Sequence, residues 1–217
     1  MAKQGERGRI LRDLRQTRVF EDADVWLLQE AAATVPEIAR EMDLDYVYAP
    51  TDEVQGLAIL SRYAIEEPER IALPQYNLKF NTRCRIALAA EIQGVPIVNI
   101  HLDTRITQKQ RLDQVSSLLH GKRMLIGGDF NTANVRWVGN LLPVPGQNNA
   151  RAMRDMFVSR GFDSPLDNAG PTFKLLGLPL HLDWIFPKDL KTVASGVEEI
   201  GFSDHHAVWV NVRPESP

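Results

Sequence analysis

Apolar runs too short to be helices recur along the chain, alternate with stretches of helical period, and once meet across a two-residue turn. That mixture limits the fold more than any other feature. Arg85–Ile92 and Val95–Leu102 flank Gln93-Gly94, which reads as a hairpin turn. Val25–Gln29, ending at Glu30, and Gly56–Ser61 read as buried strands. Met124–Gly127 is a strand ending in a Gly-Asp turn, and Leu182–Phe186 and Ala207–Val212 are the last strands. Ile10, Leu11, Leu14 and Arg18 have helical spacing, so Arg9–Phe20 is expected to be an amphipathic helix. Thr34 with Glu37 makes a capping-box start, with Pro36 in the first turn of a helix running to about Met42. Gln108–Leu119 and Ala150–Arg160, the latter closed by Gly161, complete the helices. Hairpin strands and helix-separated strands in one chain imply helices covering sheet faces in a layered α/β sandwich.

No repeat, low-complexity tract or Pro/Gly/Ser linker divides the 217 residues, so one domain over 1–217 is expected. Net charge is −3, which argues against coating nucleic acid by charge alone but not against gripping one phosphate through a metal. Cys84 has no second cysteine to pair with, and its apolar neighbourhood predicts a small core residue. No stretch approaches the ~20 apolar residues that span a bilayer, and Met1–Arg9 lacks the apolar core of a signal peptide. A cytoplasmic protein is expected.

Several strands end on polar residues instead of ordinary turn chemistry. Trp26-Leu27-Leu28-Gln29-Glu30 delivers a carboxylate, and Asn99-Ile100-His101-Leu102 an imidazole. Asp129 and Asn131 stand two apart in Gly127-Gly128-Asp129-Phe130-Asn131-Thr132, so in an extended segment they project to one side. Taken singly, a carboxylate at a strand end is usually a solvated charge or a cap, and a lone histidine usually a satisfied structural residue. Asp183 is harder to dismiss, because an Asp among Leu182, Trp184, Ile185 and Phe186 is costly to bury without a donor. A histidine is the natural donor. Taken together, Glu30, Asp129, Asn131 and Asp204 offer only oxygen-rich side chains, which suits hard Mg²⁺. An Asp–His pair could then deprotonate an attacking water, with charge on the phosphoryl oxygens neutralised beside it. The whole set matches what hydrolysis of a phosphate ester requires.

The ordered series LLQE, GLAILSR, NIHL, GGDFNT, LDWIF and SDHHAV resembles the endonuclease/exonuclease/phosphatase superfamily, from first helix to last strand. Its members include DNase I-like nucleases, apurinic endonucleases, inositol-polyphosphate phosphatases and neutral sphingomyelinases. The resemblance implies a four-layer α/β sandwich with two central, mostly antiparallel or mixed sheets flanked by helices, and a site at one end. It implies Mg²⁺, with Mn²⁺ as substitute, held by Glu30 and Asp204. It further implies His205 as the catalytic histidine oriented by Asp183, Asp129 and Asn131 positioning water and phosphate, and His101 at the scissile phosphate. Consecutive residues in an extended segment point oppositely, so only one of His205 and His206 can face the site; the Ser-Asp-His order selects His205.

Two departures stand out. His181 occupies a position where many members carry Arg. The family also begins with a strand bearing an active-site Asn, and nothing in Met1–Arg9 resembles it, so that strand is expected to be missing and an inner strand left with an open edge. The leading expectation is a phosphodiesterase, endonuclease-like, acting on a phosphate-ester substrate with nucleic acid among the candidates. The alternatives are a phosphomonoesterase on a small phosphorylated metabolite or lipid headgroup, and a pseudoenzyme that keeps the fold as a binding module. No obligate protein partner is expected. Lys79, Arg83 and Arg85, with Tyr76 and Phe80 interleaved, make either a basic patch or a solvated sheet edge.

Overall fold

The structure, a computed structural model, describes residues 17–32, 34–76, 84–104, 106–132, 135–138, 142–145, 149–175, 178–201 and 203–214. The first half contains α1 (Arg18–Asp22), β1 (Val25–Ala31), α2 (Val35–Met42), β2 (Asp45–Pro50), β3 (Gly56–Ser61), β4 (Glu66–Ala72), β5 (Ile86–Ile92) and β6 (Val95–His101). There follow α3 (Gln108–Ser116), β7 (Met124–Asp129), β8 (Val135–Val138), β9 (Leu142–Pro145) and α4 (Asn149–Val158). The last elements are β10 (Phe173–Leu175), β11 (Leu178–Leu180), β12 (Asp183–Lys188), β13 (Leu190–Glu198) and β14 (Ala207–Pro214).

β5 and β6 form the expected hairpin, with φ of 53° at Gln93 and 69° at Gly94. Both faces of this pair are apolar: Ile86, Leu88 and Ile97 enter one cluster, and Ala87, Val98 and Ile100 another. Such strands must be covered on both sides, which places them inside a sheet between two layers. That sheet has the order β12-β7-β6-β5-β4 and is parallel only between β6 and β7, whose connection carries α3. Residues of α3 and α4, including Val115, Met153 and Phe157, pack on one face. The other face packs through Ile97 and Leu125 against Leu57 and Ile59 of the sheet β1-β3-β2. Phe20, Val35 and Ile38 of α1 and α2 cover the far side of β1 and β3, so the order is helix, sheet, sheet, helix.

Two glycines are dictated by how closely β7 passes its neighbours. A Cβ on Gly128 would lie 2.0 Å from the Ile100 carbonyl oxygen, and its φ of +137° disfavours any other residue. A Cβ on Gly127 would meet the Leu27 side chain of the facing sheet at 2.9 Å.

Several expectations are corrected. Thr34 has helical backbone angles and makes no side-chain cap bond, so the capping box fails there; one forms instead at Thr107 and Gln110 of α3. Cys84 is exposed, because burial begins only at Arg85 as the chain enters β5. Arg85 cannot belong to a surface patch, since it is buried and its Nε donates to Asp103 at 2.7 Å. Lys79, Phe80 and Arg83 lie outside the described residues. β2, β4, β8, β9, β10, β11 and β13 have no counterpart among the strands expected from the sequence. β4 is a charged edge strand with Glu66, Glu67, Glu69 and Arg70 all exposed, so it lacks apolar alternation.

β1 is hydrogen-bonded to β3 on one side, and among the described residues no strand pairs with its other side. The same is true of β14, whose described partner is β13. Met1–Arg9, on which the missing-strand expectation falls, lies outside the described residues. No described helix is long and apolar enough to cross a membrane.

Candidate active site

Three strands of the five-stranded sheet carry polar residues in one row. His101 is the register partner of Asp129 across parallel β6 and β7, and Asp183 is its partner across antiparallel β7 and β12. The row is tied beyond the strands: Leu102 N donates to Asp129 O at 2.9 Å and Phe130 N to Leu182 O at 2.9 Å. An imidazole and two carboxylates therefore stand side by side because the sheet register puts them there.

The segment before β14 brings His205 to this row. Its Nδ1 lies 2.8 Å from Asp183 Oδ2 and 3.0 Å from Oδ1. One ligand atom from each of Asp129, Asp183 and His205 falls within 4.8 Å of the others. Thr172, not singled out from sequence, holds this arrangement. Its buried hydroxyl donates to Asp183 Oδ2 at 2.6 Å and accepts from Leu182 N and Asp183 N at 3.0 and 3.1 Å. Its carbonyl accepts from His206 N at 2.7 Å, and the Phe173 ring lies 4.7 Å from the His205 ring. His206 thus contributes a backbone bond, whereas His205 contributes its ring. The sequence around it, Asn168-Ala169-Gly170-Pro171-Thr172-Phe173, reads as an ordinary loop, and its burial is visible only in the structure.

Replacing Thr172 with valine keeps shape but removes one donor from the carboxylate and the acceptor from two buried N–H groups. The expected cost is about 1–3 kcal/mol of unfolding free energy by urea denaturation. Thr172→Ser, which keeps the hydroxyl, should stay closer to the parent than Thr172→Val.

Asp129 and Asn131 do converge, but not through extended alternation. Asn131 has φ of +50°, its N donates to Asp129 Oδ1 at 2.8 Å, and its Nδ2 donates to Leu102 O and Asp129 Oδ2 at 2.9 and 3.2 Å. A tight turn closed by the Asp side chain replaces the expected extended segment. His101 Nε2 stands 3.4 Å from Asp129 Oδ2.

Burial, and then the charge of Asp183, push the Asp129 carboxyl up to about 7; His205, the Asn131 N–H and Arg85 pull it the other way. Burial alone would lower His205. The hydrogen bond and charge of Asp183, with the charges of Asp129 and Asp204, outweigh it and raise the imidazole to about 9. Both groups hold protons more tightly folded than unfolded. Their contribution to stability is therefore full below the ordinary values and is lost as pH rises through the folded ones. The metal-free protein is expected to melt at a lower temperature at pH 9 than at pH 6, in chelator. A melting temperature that rises over that interval would contradict this electrostatic picture.

Glu30 and Asp204, the expected metal residues, are exposed and stand outside the close group of Asp129, Asp183 and His205. Glu30 nevertheless lies at the same end of the molecule. Val25 packs in the cluster holding Ile97 and Leu125, Leu27 reaches Gly127, and Gln29 bonds to Asn99, so β1 runs toward the level of His101 and Asp129. Leu28 pairs with Ala58 and Ala31 with Gly56, leaving Gln29 and Glu30 opposite Leu57 alone. Such a bulge re-aims a side chain, and Glu30 takes up φ of +51° within it. The His181 ring packs against that of Trp184, tilted by 36° with centroids 4.0 Å apart, and burial lowers its pKa.

The Endonuclease/Exonuclease/phosphatase family model matches residues 4–205. No curated protein sequence matches the chain. Among solved structures, an endonuclease/exonuclease/phosphatase family protein from Bacteroides thetaiotaomicron aligns with TM-score 0.72 and 18% identity, covering 97% of this chain and 89% of that one. An endonuclease/exonuclease/phosphatase from Beutenbergia cavernae aligns with TM-score 0.70 and 19% identity over 95% of this chain. This chain spans 65% of the Beutenbergia protein's length. A 3'-5' exonuclease from Neisseria meningitidis aligns with TM-score 0.66 and 18% identity, covering 94% of this chain and 95% of that one. These likenesses concern the fold.

Proposed function

The chain belongs to the endonuclease/exonuclease/phosphatase family, and from that premise we propose that it is a divalent-metal-dependent, nuclease-like phosphodiesterase whose catalytic domain spans 1–217. The observation that carries the reading is the His205–Asp183 pair beside Asp129 and His101 in one row of the sheet.

The donor chemistry fits a hard divalent cation. Asp129 and Asp183 face each other, both buried, and two such carboxylates call for positive charge beyond that of one imidazole. The rise of Asp129 to about 7 expresses the same need. Asp183 already receives His205 and Thr172, so Asp129, Glu30 and Asp204 are the carboxylates assigned to Mg²⁺. When bound, the ion would supply positive charge against the phosphoryl oxygens.

The protein's own residues divide the remaining work. His205 donates its Nδ1 proton to Asp183, which leaves Nε2 to accept a proton from the attacking water. The water oxygen bonds to phosphorus as the ester P–O bond breaks, the leaving alkoxide takes a proton from solvent, and His205 returns to solvent the proton it accepted. Thr172 keeps Asp183 oriented toward His205. Asn131 and Asp129 position water and phosphate, and His101 contacts the phosphate.

A metal-dependent activity panel tests this reading. Bis-p-nitrophenyl phosphate, p-nitrophenyl phosphate, plasmid DNA and an abasic duplex would be compared with Mg²⁺ or Mn²⁺ present. Cleavage of the diester and of at least one DNA substrate is expected. Turnover of the monoester alone would replace the phosphodiesterase by a phosphatase, and no turnover of any substrate would favour a binding module.

A further inference from the structure

The two sides of the proposed site belong to different sheets: Glu30 lies on the three-stranded one, and His101, Asp129 and Asp183 on the five-stranded one. Apolar contacts between sheets are non-directional and permit sliding, so something must fix the level of one sheet against the other.

Asn99 is fully buried and points from β6 into the facing sheet. Its Nδ2 donates to Leu28 O at 3.0 Å and to Ala58 O at 2.9 Å, and its Oδ1 accepts from Gln29 Nε2 at 2.6 Å. Leu28 and Ala58 are the last register pair before the bulge that contains Glu30. Asn99 is two residues from His101 along one strand, and Gln29 is one residue from Glu30 along the other. For packing alone an aliphatic side chain would serve here, since Leu57, Ile97 and Leu125 surround this inter-sheet layer. A buried amide with both its donors and its acceptor engaged gives direction where the apolar layer gives none.

We infer that Asn99 is a positioning residue that locks the register of the two sheets and so sets Glu30 against the His101–Asp129–Asp183 row. The inference rests on the metal-dependent reading above and assigns Asn99, through Gln29, to the geometry of the metal site. Its substitution should weaken metal binding more than it slows the chemical step at saturating metal. Residues that orient ligands in this way typically change metal affinity about 10–100-fold.

The experiment measures Mn²⁺ binding without substrate, by the electron paramagnetic resonance of free Mn²⁺, and kcat at saturating Mn²⁺. Asn99→Leu keeps approximate size and removes all three bonds. Gln29→Met removes the bond to Asn99 Oδ1 and a local one to Leu27 O from a half-buried position, and serves if Asn99→Leu fails to fold. Both variants are first shown by circular dichroism and a cooperative melt to be folded. The expected result is a Kd for Mn²⁺ raised about tenfold or more in Asn99→Leu, and in the same direction in Gln29→Met, with kcat at saturating metal within about threefold. Folded variants that bind Mn²⁺ as tightly as the parent would overturn the assignment, and so would a loss confined to kcat at saturating metal. A parent protein that binds no Mn²⁺ would instead sink the metal-dependent reading, and the role of Asn99 with it.

Discussion

His205→Ala and Asp183→Asn are each expected to lower kcat/KM by about 10²–10⁴-fold, and the double variant by little more than either alone. The reason is geometric. His205 Nδ1 sits within hydrogen-bond distance of both Asp183 oxygens, so the carboxylate fixes which nitrogen carries the proton. An asparagine would offer an amide in place of one oxygen and disturb that choice, while alanine at 205 removes the acceptor altogether. His206→Ala is expected to be mild, since the main-chain N–H of His206 bonds to the Thr172 carbonyl and alanine keeps that donor. Kinetics of the four variants decide the matter. A loss at His206→Ala exceeding that at His205→Ala would reverse the assignment, and additive losses would mean that Asp183 and His205 do not act as a unit. Activity should also climb with pH in the parent, because His205, raised to about 9, can serve as the proposed base only when neutral, and that part of the climb should vanish in His205→Ala.

Removal of divalent metal is expected to abolish turnover, and Glu30→Gln to lower it by roughly a hundredfold or more while the protein stays folded. Glu30 is exposed, Glu30→Gln keeps the side chain's size, and the bulge that holds it is defined by backbone pairing. The effect should therefore fall on metal and substrate, not on stability. Full activity after exhaustive chelation would end the metal-dependent reading. Near-parental activity of Glu30→Gln at low Mg²⁺ would remove Glu30 from the metal site and leave Asp129 and Asp204 as its carboxylates.

Much of this architecture was legible in the residues themselves. The Gln93-Gly94 turn allowed one tight hairpin, the two-sided apolar pattern of Ile86–Ile92 required cover on both faces, and Gly161 closed a helix with φ of +84°. Asp183 announced a partner because no isolated carboxylate is stable among Leu182, Trp184 and Phe186. These are local demands, set by backbone sterics and by the cost of burying charge, and a sequence states them directly. What the sequence did not state was register. That His101, Asp129 and Asp183 share one row depends on how three strands slide into pairing, and each slip by one residue would turn a side chain to the other face. The bulge at Gln29 and Glu30, the left-handed turn at Asn131, the burial of Arg85 against Asp103 and the Thr172 hydroxyl under Asp183 likewise arise from residues distant in the chain. Their energies exist only once two sheets have met, so tertiary packing decided them where local preference could not.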